Sequence, residues 1–88
     1  MYQSTVICTG LSNEEAGEAV ADMLLEFAQQ SWQQAVTCEW RDGVLRLSAE
    51  NDADRTGMAL LDEFGDAICV YINYSGEIHV SVESVIEV

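Results

Sequence analysis

The hydrophobic positions change period along the chain, and each change marks an element. Tyr2 to Thr9 is rich in Val, Ile, Thr and Tyr and ends at Gly10, which reads as a first strand. The unbroken run Val6-Ile7-Cys8 suits a strand in mid-sheet buried on both faces. From Ser12 to Gln33 the period becomes helical. Ala16, Ala19, Val20, Met23, Leu24, Phe27 and Ser31 fall on one face, giving an apolar stripe for the sheet. Ser12 with Glu15 three residues on forms a capping box at the start of this helix.

Between Ala35 and Glu50 the pattern alternates on either side of Asp42-Gly43, a pair that favours a tight type I′ hairpin. That register sets Trp40 opposite Leu45, Cys38 opposite Leu47 and Val36 opposite Ala49 on one face. On the other face Glu39 meets Arg46 and Thr37 meets Ser48. Asn51 or Asp52 can cap a second helix whose buried face is Ala53, Gly57, Leu60, Leu61 and Phe64, with Gly65 as its left-handed stop. Asp66 to Val88 then reads as a second hairpin. A three-residue Tyr74-Ser75-Gly76 loop would unite Ile68, Val70, Ile72, Ile78, Val80 and Val82 on one face. Cys69, Tyr71, Glu77, His79 and Glu83 would share the wetter face.

The order β-α-β-β-α-β-β predicts one α+β domain over residues 1–88, a ferredoxin-like split βαβ sandwich. Two helices would cover one face of a mainly antiparallel five-stranded sheet in the order 5-4-1-3-2. The last strand ends in Val85, Ile86 and Val88 with no Lys or Pro to protect its edge, so a homodimer or a partner could pair there.

Charge changes this picture from a plain scaffold to a surface with a direction. Sixteen acids face three Arg and no Lys, for a formal net charge of −13. Such a field repels nucleic acid and anionic membrane and draws basic surfaces. Along the first helix Glu14, Glu18, Asp22 and Glu26 recur every four residues, stacked at roughly 6 Å intervals with no base to neutralise them. Glu14 and Glu15 also favour the positive end of the helix dipole, an explanation that Glu18, Asp22 and Glu26 lie too far along to share. Asp54, Asp62 and Glu63 are expected outward on the second helix as a further patch.

Chemistry is thin. The lone His79 has no nucleophile beside it, and no glycine-rich phosphate loop occurs. Cys8, Cys38 and Cys69 lie about thirty residues apart, the spacing of buried reduced thiols and not of a zinc knuckle or disulfide framework. No apolar run approaches the roughly 20 residues of a membrane span, and the first residues lack a signal-peptide layout. The expectation is a cytoplasmic protein without cofactor, metal or enzyme activity. In size and charge, though in no motif, the chain resembles the small acidic inhibitors of nucleic-acid enzymes: phage anti-CRISPR and anti-restriction proteins, and toxin-immunity proteins. That resemblance implies an inhibitor whose carboxylates, Glu14, Glu18, Asp22 and Glu26 with Asp54, Asp62 and Glu63, occupy a basic, nucleic-acid-binding site of a target protein. The competing expectation is a dimeric small-ligand or regulatory module whose acidity serves only solubility or salt tolerance.

Overall fold

In the computed structural model, which describes residues 1–88, β1 (Tyr2–Thr9) buries Ser4, Val6 and Cys8 completely and leaves Ile7 half covered. The strand therefore lies in mid-sheet with one face under the helices and one face open, not buried on both. The chain continues through α1 (Asn13–Ala28), β2 (Gln34–Arg41), β3 (Val44–Asn51), α2 (Met58–Tyr71) and β4 (His79–Glu87). This is an α+β fold with a four-stranded antiparallel sheet in the order β2-β3-β1-β4. The core joins Met23 and Phe27 of α1 and Leu60, Phe64 and Ile68 of α2 to Val6, Cys8, Leu45 and Leu47 of the sheet. Each large side chain so buried stabilises the fold by roughly 1.5–3 kcal/mol.

Two local expectations hold closely. The Ser12 hydroxyl accepts from the Glu15 amide at 3.1 Å while the Glu15 carboxylate accepts from the Ser12 amide at 2.8 Å, the reciprocal capping box. Across the hairpin Trp40 faces Leu45, Cys38 faces Leu47, Glu39 faces Arg46 and Thr37 faces Ser48. Asp42 and Gly43 at the turn both take positive φ, as the type I′ turn requires. The expected Val36–Ala49 pairing does not follow. The register slips between Gln34 and Thr37, and Ala35 takes a positive φ of 49° there.

The second half departs from expectation. α1 ends at Ala28 instead of Gln33. α2 starts later than expected and runs straight through Gly65 to Tyr71, so the strand expected from Asp66 is helix and the sheet has four strands, not five. Gly76 has no positive φ and no hairpin forms at Tyr74-Ser75-Gly76. Leu60, Phe64, Ala67 and Ile68 recur at helical spacing and are all buried, while Val70 is 73% exposed. The helical period thus buries more than the alternating one, and β4 takes the place beside β1 that the expected fourth strand would have held. Cys69 consequently lies exposed on α2, unlike buried Cys8 and half-buried Cys38; all three are free thiols.

Two glycines set the connections. Gly57, at φ 77°, precedes α2, and a Cβ there would stand 3.0 Å from Val82 of β4. Gly10, at φ 99°, backs onto the Glu77 carbonyl so closely that no side chain fits.

Candidate functional site

The two helices carry eight acids, Glu14, Glu15, Glu18, Asp22 and Glu26 on α1 and Asp62, Glu63 and Asp66 on α2, and no Lys or Arg. The helical repeat spreads them over the solvent side of the layer. Glu14, Glu18, Asp62 and Asp66 are exposed, whereas Asp22, Glu26 and Glu63 are partly covered. Glu15 does structural duty as well. Beyond the capping box its carboxylate accepts from the Ser75 amide at 2.9 Å, tying the loop after α2 to the start of α1. These bonds, the Ser12 amide first and the Ser75 amide next, hold Glu15 below the usual carboxylate range.

Where the helices meet, they leave a groove of about 230 Å³. Glu26 and Gln30 line it from α1, and Glu63, Asp66 and Tyr71 from α2. Ala67 and Val70 add apolar surface. The Tyr71 hydroxyl donates to Glu26 at 2.8 Å, bridging the two helices, and that bond pushes the Tyr71 pKa up. The expected row of carboxylates therefore divides. Glu14 and Glu18 stand clear in solvent, while Glu26 lines the groove together with Glu63 of the second patch.

A chain of side chains missed by sequence reasoning sets Glu63. Asn51 donates to Gln33 at 3.1 Å, and Gln33 donates to one oxygen of Glu63 at 3.0 Å. Both amides are buried. The second oxygen of Glu63, Oε2, is shut off from solvent with no hydrogen-bond partner. Burial raises the Glu63 carboxyl and Asp54 adds to the rise, while Gln33 and the Trp32 indole pull it back.

Asp54 is the clear correction among the expected surface acids. It is only 7% exposed and does not face outward. Its two carboxylate oxygens accept from the Ala59 and Leu60 amides at 3.3 and 3.0 Å, capping the free end of α2. Asn51, expected to cap that helix, instead accepts from the Ala53 and Asp54 amides at 3.0 and 2.6 Å and shapes the loop that delivers Asp54.

The opposite face of the sheet is arranged differently. Arg46 makes a two-pronged bond to Glu83 at 2.8 and 2.9 Å and reaches Glu39 at 3.6 Å. Those contacts raise Arg46 and lower Glu83. Sequence pairing found Glu39 but not Glu83. Alternation already put Glu83 on this wetter face, but the expected order set its strand one place further from β3. With β4 directly beside β1, Glu83 reaches across β1 to Arg46. Asp66 and Tyr71 were missed for another reason: as strand residues they had no place beside α1. The spacing of Glu63, Asp66 and Val70 at i, i+3 and i+7 was the signal that could have placed them on one helical ridge.

Other reactive chemistry finds little support in the geometry. Burial pushes the Cys8 thiol up to about 11 and the Cys38 thiol up to about 12, so neither is a thiolate near neutral pH. No three His, Cys, Asp or Glu side chains converge as metal ligands would. No helix is long and apolar enough to cross a membrane. None of the known protein families matches this chain, nor does any curated protein or solved structure.

Proposed function

We propose that the protein is an inhibitor that binds other proteins, presenting the outer side of α1 and α2 to a basic, nucleic-acid-binding site of its target. One observation carries this reading: eight carboxylates and no base on the helix layer, with all three arginines elsewhere. Arg41 and Arg46 belong to the β2–β3 hairpin and Arg55 to the loop before α2. Rigid helices hold negative charges at fixed intervals where such a site expects phosphates. Four residues of helix rise about 6 Å, sparser than the combined charge on both strands of a duplex, so the imitation is partial. In this reading the protein acts in the cytoplasm as a binder and not as an enzyme, without cofactor. The β-α-β-β-α-β order supports reading it as a ferredoxin-like scaffold serving display. The nine-residue β4 edge, with Ile86 and Val88 exposed, is the place for a second copy to pair.

The test is a variant with Glu18, Asp22 and Glu26 all replaced by Gln. Retention of a basic target should fall by about 100-fold or more, and wild-type binding should weaken as salt rises. Stability should hold or increase by a few tenths of a kcal/mol per relieved like-charge pair. Undiminished binding by a folded triple variant would overturn the helix-face reading.

A further inference from the structure

We propose that the groove between α1 and α2 seats the guanidinium of one arginine side chain from the bound partner, an inference that rests on the helix-face reading above. Size limits the occupant first. At about 230 Å³ the groove falls short of the roughly 300–1,000 Å³ of small-molecule pockets, and it suits one long side chain. Charge limits it next: Glu26, Glu63 and Asp66 line the groove, and neither helix carries a base that could already answer them.

The walls then separate arginine from lysine. Tyr71 is 49% and Val70 73% exposed, so an aromatic ring and an aliphatic side chain border the carboxylates. A planar, weakly hydrated guanidinium can stack on such surface while its N–H groups reach carboxylates on either side. A compact, strongly hydrated ammonium gains less. Glu63 comes to the groove already fixed in position, one carboxylate oxygen accepting from buried Gln33 at 3.0 Å. A cation beside this partly buried carboxylate would offset the cost of its burial.

The experiment is an amide-resolved NMR titration of the intact protein at low salt with N-acetyl-arginine methylamide, and in parallel with the lysine analogue. Seating in the groove gives saturable shifts concentrated at Glu26, Gln30, Glu63, Asp66 and Tyr71, with arginine at least about threefold tighter than lysine. Glu63→Gln should weaken the arginine complex by about tenfold, as loss of a charged hydrogen-bond partner does, and Glu14→Gln should leave it unchanged. If Glu63→Gln does not fold, Asp66→Asn on the exposed rim replaces it with the same expected direction. Shifts spread evenly over Glu14, Glu18 and the sheet-face acids, equal response to lysine, or no shift with either probe would overturn the proposal. Any of these results together with lost target binding in the triple-Gln variant leaves the helix-face reading standing. Groove binding together with an undiminished triple variant removes that reading instead.

Discussion

On the sheet face Arg46 stands between Glu39 and Glu83 and answers both, while on the helix face eight carboxylates have no cation among them. The chain carries few bases, and the fold spends this one where no row of acids runs. If charge served solubility alone, compensation on one face and none on the other would have no consequence. Each like-charged pair along α1 costs about 0.2–0.5 kcal/mol, a cost the helix layer bears because the packing beneath it is worth far more. The contrast also divides the helix-side acids by use. Asp54 and Glu15 are engaged with backbone amides, Glu26, Glu63 and Asp66 line the groove, and Glu14, Glu18 and Asp62 are free in solvent.

That division can be broken most forcefully at Asp54. Asp54→Ala removes the carboxylate that caps the start of α2 and strands two amides, one of them buried. The expected loss is about 2 kcal/mol in urea unfolding, whereas Asp62→Ala on the same side should change stability by less than about 0.5 kcal/mol. Equal effects would mean that Asp54 is a display residue after all.

A pH series sharpens the comparison from another direction. Glu63 has a raised folded-state pKa, so between its unfolded and folded values the native state binds more protons and stability falls as pH rises. Glu15 and Glu83 have lowered pKa values, so their contribution is present above the unfolded value and is lost as pH drops through the folded one. The unfolding midpoint should therefore rise as pH falls toward the unfolded glutamate value and decline below it as Glu15 and Glu83 take up protons. Glu63→Gln should flatten the first limb and leave the second. A midpoint that only falls from pH 7 downward would show that Glu63 is not strained by burial.

The smallest effect belongs to the sheet face. Arg46→Gln leaves Glu39 and Glu83 without their cation near solvent, and the loss should stay below about 1 kcal/mol and shrink further in salt. Binding through the helix face should not change. A large drop in partner binding would move the interface to the sheet.

What the sequence determined by itself was local. Ser12 and Glu15 stand three residues apart, the Asp42-Gly43 pair takes positive φ, and Cys38, Trp40, Leu45 and Leu47 alternate. Each of these acts over a few residues, so the capping box and the hairpin register follow from neighbours alone. The presence of an acidic ridge on α1 was likewise legible, because helical periodicity alone puts Glu14, Glu18, Asp22 and Glu26 on one side. Tertiary structure decided the stretch from Asp66 to Tyr71, where Ile68, Val70 and Ile72 alternate as a strand would but Phe64, Ala67 and Ile68 repeat as a helix does. Both periods are present, and only the competition for the place beside β1, taken by β4, selects between them. From that selection follow the groove, the Tyr71–Glu26 bridge and the gathering of Glu63 with Glu26. The inward turn of Asp54 had the same kind of origin. A carboxylate five and six residues before the amides it caps reaches them only because Asn51 and Gly57 bend the intervening loop, a path set by the packing of α2 against the sheet.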